Sequence, residues 1–420
     1  MASPSSPAGA TGAVTAGMRG ASWTAERLHR PFDTRPCPLA TEDGQRVLGF
    51  LFSRGGEKGV VFVMHPREMV VTHYLVPDLL DAGWACWVQG PRSVGNDLRL
   101  EHELALHDVA AGMRHLRSLG FATIVQLGNS GGAGLFAFYN QQAMLDGERR
   151  LRHTPAGRPT KLESANLPVA DGLVFLSPHP GQGALLMSGI DPSVTDEADP
   201  FSCDPALDPF DAKNGFRRPP ESSRYAPEFV ARYRAAQRER VARIDRIALD
   251  LVARRRDARQ RLKEAPSRRD KLVASHQPVF TVWRTDADLR SWDTSLDPSD
   301  RTVGTLWGAD PAASNLGSVG FGRVVTPESW LSTWSGLQSR ASMALCAPSV
   351  QQPVLLVEYS GDNAVFPADI DAIEAAIGSP HKQRVTVRGN HHGMALAEGE
   401  PSGQAVAGEH VTRWLTENFG

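Results

Sequence analysis

At 420 residues the chain exceeds one average domain, so a core with an inserted or appended second domain is expected. It is 41% apolar and 22% charged with a net charge of −2, the composition of a globular protein, and this gives no general case for a nucleic-acid or membrane partner. No apolar run is long enough to span a bilayer. Residues 1–20 are rich in Ala, Gly, Ser and Thr and lack both a basic start and an apolar segment, so a disordered leader is expected rather than a secretory signal. The cysteines at 37, 86, 203 and 346 are too far apart for a metal motif. Cys86 and Cys346 sit in apolar company as buried thiols would, which points to a reducing, cytoplasmic compartment.

Taken in order, Gln45 to Phe52 alternates as a hairpin strand does. Val60-Val61-Phe62-Val63-Met64 is a continuous apolar run, the sign of a strand buried on both faces. A helix is predicted over Tyr74 to Ala82, closed by Gly83. The next buried strand is Trp84 to Val88. A helix follows from Leu98 to Leu119, with Leu104, Val109, Met113 and Leu116 on its apolar side. The run Ile124 to Gly128 reads as the central strand, Leu135 onward as a helix, and Gly172 to Leu176 as another buried strand. Strands alternating with helices at this spacing predict a mostly parallel sheet with helices on both faces.

The rhythm then breaks over 181–349, a domain-sized stretch. Residues 189–224 look irregular. Residues 226–264 read as one long helix, with Tyr233, Val241, Ile244, Ala248, Leu251, Ala258 and Leu262 in one apolar stripe. From Arg232 to Lys271 there are 15 Lys/Arg against 6 Asp/Glu, a local charge of +9 that leaves about −11 on the rest. The plain reading is a solvated helix face; a dimer arm or a rim that attracts anions is the sharper one. Residues 279–345 hold five of the nine tryptophans, expected to build the core of a small helical cap, with Trp334 at the substrate pocket. The strand pattern resumes at Pro353 to Val357 and Arg384 to Val387, with helices over Ala368 to Ile377 and Ala405 to Asn418.

In an open parallel sheet, ligands bind beyond the carboxyl ends of the strands. The strand at 60–64 delivers His65-Pro66-Arg67 there. The central strand delivers Gly128-Asn129-Ser130-Gly131-Gly132, a G-x-S-x-G nucleophile elbow in which Ser130 stands on a tight turn and the flanking glycines avoid a clash. The strand at 173–176 ends at Ser177-Pro178-His179-Pro180. The two last strands deliver Gly361-Asp362-Asn363 and Gly389-Asn390-His391-His392-Gly393. The pentapeptide alone is a weak signal, and Gly128, Gly131 and Gly134 also form a run that could cradle a dinucleotide phosphate. Against that, a dinucleotide fingerprint opens its domain, and at least two strands precede this one.

Serine, aspartate and histidine in that order, each just past a different strand, resemble the α/β-hydrolase superfamily. The match covers about 20–180 and 350–420. His65-Pro66 resembles the family's His-Gly oxyanion-loop start with Pro in place of Gly; Gly361 to Pro367 matches its acid loop and Gly389 to Gly393 its histidine loop. The resemblance implies an α/β-hydrolase core at 21–180 and 350–420 with a cap or lid inserted at 181–349.

It also implies a serine hydrolase with Ser130 as nucleophile, His392 as base and Asp362 as the acid that orients it, and with no metal or cofactor. His391 competes with His392, and Asp369 with Asp362. The family's spacing of three from glycine to histidine favours His392, which leaves His391 as a substrate contact. The oxyanion donors it implies are the backbone N–H groups of Gly131 and Arg67. His65 and His179 are further expected substrate contacts. The substrate is expected to be a carboxylic ester or lactone of a bulky, partly apolar small molecule, with a thioesterase or amidase using the same triad, or a silent binding protein, as alternatives. A homodimer through the cap is also expected.

Overall fold

The computed structural model describes Arg27 and residues 30–95, 97–317 and 319–420. The expected leader at 1–20 lies outside the described residues. Eight strands form one sheet: β1 (Asp33–Ala40), β2 (Arg46–Ser53), β3 (Gly59–Met64), β4 (Ala85–Gln89), β5 (Thr123–Asn129), β6 (Gly172–Leu176), β9 (Val354–Tyr359) and β10 (Lys382–Val387). Their order is β1-β2-β4-β3-β5-β6-β9-β10. β1 and β2 pair antiparallel, as do β2 and β4. Every other neighbour in the sheet is parallel.

The apolar runs form strands because both sheet faces are covered. Along β3, Val60, Phe62 and Met64 belong to one apolar cluster and Val61 and Val63 to another, the two-residue alternation of a strand expressed as two cores. The first cluster takes in Val109, Met113 and Leu116 of α2 (His102–Ser118), Phe136 and Phe138 of α3 (Gly131–Ala143), and Ile370 and Ile373 of α11 (Pro367–Ala376). The second takes in Val76, Leu79 and Leu80 of α1 (Val76–Asp81) and Val411, Trp414 and Leu415 of α12 (Gly403–Phe419).

Between β6 and β9 the insert carries α4 (Gln182–Gly189), α5 (Pro227–Glu264), α6 (Arg268–Ser275), the short helices α7 (Leu289–Trp292), α8 (Pro311–Leu316), α9 (Pro327–Ser329) and α10 (Met343–Cys346), and a two-stranded ribbon, β7 (Phe280–Thr281) with β8 (Val324–Val325). Ala341, Met343 and Cys346 join the first sheet cluster, and two further clusters are built mostly from the insert. One joins Val241, Ile244 and Ala248 of α5 to Leu186, Trp330 and Trp334; the other joins Phe229 and Tyr233 to Leu289 and Trp292.

At 38 residues α5 is roughly 57 Å long. The same face that buries this stripe also buries Gln237, Arg240 and Asp245, which the apolar pattern passes over. Each is paired: Arg240 with Glu197 at 2.8 Å, Gln237 with the Ser188 and Ile190 carbonyls, and Asp245 with Trp330 Nε1 at 2.7 Å. Part of the basic charge is therefore internal, whereas Arg254, Arg256, Arg259 and Arg261 in the distal half stand exposed.

The insert is tied to the sheet domain by hydrogen bonds. His102, at the start of α2, donates its N–H to Ser332 Oγ at 2.9 Å, and its Nδ1 lies 3.1 Å from Thr333 Oγ1. Among the described residues no helix is long and apolar enough to cross a membrane.

Candidate active site

β5 ends in the elbow. Ser130 has φ 53° and ψ −117°, a conformation that L-residues rarely hold, and its N–H donates to Leu176 O at 2.9 Å across the sheet. A Cβ on Gly128 would collide with the backbone of Ala133, and one on Gly132 with Met64 O, so the first and last glycines of the pentapeptide are sterically required. The turn leaves Ser130 half-buried at the start of α3, where the N–H of Gly131 precedes the first intrahelical bond and is free to donate.

His391 Nε2 lies 3.1 Å from Ser130 Oγ, and His391 Nδ1 lies 2.7 Å from Asp362 Oδ2. This corrects the sequence expectation: His391, not His392, stands between serine and aspartate. The cause is a turn built by Asn390, whose Oδ1 accepts the N–H groups of His392 and Met394 at 3.0 Å each while Gly393 donates back to Asn390 O at 2.8 Å. The turn aims His391 at the elbow and sends His392 into the interior. There its Nδ1 is buried with no partner among the described residues, and burial, with neighbouring His391, pushes the ring down to about 3.

Asp362 is held on both oxygens. Oδ1 accepts the N–H groups of Ala364 (2.7 Å) and Val365 (2.9 Å). Oδ2 accepts Ser177 Oγ at 2.5 Å besides His391. Burial opposes its charge, but the His391 imidazole and these hydrogen bonds outweigh burial and hold the carboxyl below its ordinary range. Ser177 was not singled out from the sequence. It sits at the end of β6 with φ 46°, and a serine just past a sheet strand in the Ser177-Pro178-His179-Pro180 loop was the available signal. Asp369 serves elsewhere: it pairs with Arg290 at 3.0 Å and accepts the N–H of Phe366 at 3.2 Å.

Two further expectations are corrected. The backbone N–H of Arg67 donates to His65 Nδ1 at 3.2 Å, so it is not free for an oxyanion. The Arg67 side chain is clamped by Asp97 at 2.6 and 3.1 Å and by Gly320 O at 3.0 Å, over the rings of Phe321 and Trp334. Trp334 is fully buried in the insert's apolar cluster and offers no surface to a pocket.

His65 and His179, by contrast, stand beside the elbow, close to where a Cβ on Gly131 would lie. Burial lowers both imidazoles, His65 well below its ordinary value and His179 to about 3; His179 adds to the effect at His65, and His391 adds to it at both. Among the described residues no group of three or more His, Cys, Asp or Glu is gathered as a metal ion would need.

The strand order, the strained serine after the fifth strand and the Ser, Asp, His chain order define an α/β-hydrolase fold. No protein-family model matches the chain, and no curated protein matches it. Solved structures do resemble it. DcsB, solved with its substrate analogue, is 13% identical with a TM-score of 0.47, over 92% of this chain and 99% of that one. A Pyrococcus furiosus esterase is 11% identical with a TM-score of 0.45, over 97% and 99%. A hypothetical protein from Pseudomonas aeruginosa is 11% identical with a TM-score of 0.47, over 97% and 99%. At such identity the likeness says nothing about substrate.

Proposed function

We propose that the protein is a serine hydrolase that cleaves a carboxylic ester or lactone of a partly apolar small molecule through an acyl-enzyme. The observation that carries this reading is the continuous hydrogen-bonded path from Ser130 through His391 to Asp362. A neutral serine is a weak nucleophile and needs a base in reach. His391 Nε2 takes the Ser130 proton as Oγ attacks the carbonyl carbon, and Asp362 fixes the tautomer that leaves Nε2 free to accept. The oxyanion accepts the Gly131 N–H. Collapse breaks the ester C–O bond, and His391 returns the proton to the leaving alcohol. Water then repeats the sequence and releases the acid.

The insert serves as a cap in this reading. Its segments at Ser332–Thr333 and Gly320 bind the start of α2 and the Arg67 side chain of the loop after β3, contacts that support a substrate held between cap and strand ends. Thioesters and amides react by the same steps.

The test is labelling with a fluorophosphonate probe, with the adduct located by mass spectrometry, on the full chain and on Ser130→Ala. Labelling at Ser130 that disappears in the variant is expected, followed by turnover of some member of an ester and lactone panel. A folded wild-type protein that neither labels nor turns over any ester, lactone, thioester or amide overturns the reading in favour of a binding protein on this fold.

A further inference from the structure

An oxyanion site needs at least two donors, and residues 66–68 of the loop after β3 have no free backbone N–H to give. Pro66 has none. The N–H groups of Arg67 and Glu68 both point into the His65 ring, donating to Nδ1 at 3.2 and 3.0 Å. An imidazole nitrogen that accepts two hydrogen bonds carries no proton, so the neutral ring is protonated on Nε2.

Among the described residues that Nε2–H has no hydrogen-bond partner. It lies 2.8 Å from the point where a Cβ on Gly131 would stand, beside the peptide that supplies the other donor. His179 Nε2, likewise left protonated because Nδ1 accepts the Gly181 N–H at 3.0 Å, is 3.1 Å from the same point, and Gln182 Nε2 is nearer still. Three N–H donors converge there, with no acceptor among the described residues. Burial keeps His65 and His179 neutral across the working range, so both remain donors without adding charge.

We propose that the His65 side chain supplies the second oxyanion donor, its Nε2–H acting opposite the Gly131 N–H in place of a loop backbone N–H. This rests on the serine-hydrolase reading. The loop's own N–H groups lock the tautomer, so the donor is fixed before substrate arrives.

His65→Asn is the discriminating variant. Its Oδ1 can still accept the Arg67 and Glu68 N–H groups, while the Nε2–H is lost. The expected result is an unchanged melting temperature, with kcat on p-nitrophenyl esters and the rate of fluorophosphonate labelling down about 10²- to 10³-fold and KM changed less than threefold. A second measurement needs no variant: a crystal structure of the wild-type protein phosphonylated at Ser130 is expected to place one phosphonyl oxygen within about 3.2 Å of both Gly131 N and His65 Nε2. A His65→Asn rate within about fivefold of wild type, or an adduct oxygen that meets Gly131 alone, overturns the proposal. If Ser130 does not label at all, it is the hydrolase reading that fails.

Discussion

Replacing Asp362 by asparagine tests the site by tautomer alone, because the two side chains have the same shape. In the wild type Oδ1 takes two backbone N–H groups and Oδ2 faces His391 and Ser177. An asparagine has two orientations. With its oxygen toward Ala364 and Val365, its NH2 points at His391 Nδ1, which must then accept. The ring proton moves to Nε2, and Ser130 loses its base. The reverse orientation restores the base but strands two buried N–H groups against the NH2, at about 1–3 kcal/mol each, or about 2–6 kcal/mol in total. Even the lower figure leaves only about one molecule in 30 competent, and a complete lock approaches the roughly 10⁴-fold loss that the wrong tautomer produces in a triad, about 5 kcal/mol of barrier. Asp362→Asn is therefore expected to lower kcat between about 30- and 10⁴-fold, with the KM and the melting temperature near wild type, measured by steady-state hydrolysis of an activated ester from pH 6 to 9. A loss of less than tenfold would show that His391 does not depend on Asp362 for its tautomer, and the reasoning would fall.

The neighbouring histidines separate in a pair of variants. His391→Ala is expected to abolish base catalysis, with a fall of about 10³-fold or more in kcat, while His392→Ala is expected to stay within about tenfold and to lose about 1–3 kcal/mol of stability, read from denaturant melts. The reverse ranking would return the base to His392. A third prediction concerns Glu103, on the buried side of α2, with Ser332 Oγ donating to it at 2.5 Å and its other oxygen unpaired among the described residues. Burial, only partly offset by Ser332, pushes it up to about 7. A raised carboxyl favours the folded state while protonated. Its contribution is therefore full below the ordinary value near 4.5 and is lost as pH rises to about 7, a change of about 3 kcal/mol. Glu103→Gln is expected to match or fall below wild type at pH 5 and to exceed it at pH 8. Parallel melting curves for the two proteins across that range would refute the assignment.

The strands were readable where a physical rule forces a pattern. A strand covered on both faces must be apolar throughout, and the runs at 60–64, 172–176 and 353–357 mark β3, β6 and β9 to within two residues. β1 escaped because Asp33–Ala40 sits at the sheet edge, mostly exposed, with two prolines. Pro36 and Pro38 are two apart, so both missing donors fall on one side of the strand, and an edge strand tolerates that on its unpaired side. The long helix α5 was visible from its stripe, but the buried Arg240 and Asp245 were not, since only their partners Glu197 and Trp330, far off in the chain, make burial tolerable.

At the site, what could be read was which residue types the strand ends deliver, and what could not be read was where each backbone N–H goes. Glycine-to-histidine spacing favours His392, but the Asn390 side chain collects two N–H groups and shortens the turn by a residue, so His391 arrives at Ser130. The first loop misleads in the same way. Arg67 occupies the position of a donor, but His65 Nδ1 takes its N–H. Both corrections follow from one property of loops outside a sheet: with no strand partner, their N–H groups go to side chains, and a side chain that accepts two of them sets the direction of everything after it. Asn390 does so beside His391 and His65 beside the Ser130 elbow, as Asp362 does with the N–H groups of Ala364 and Val365, and each decides which of its neighbours can act.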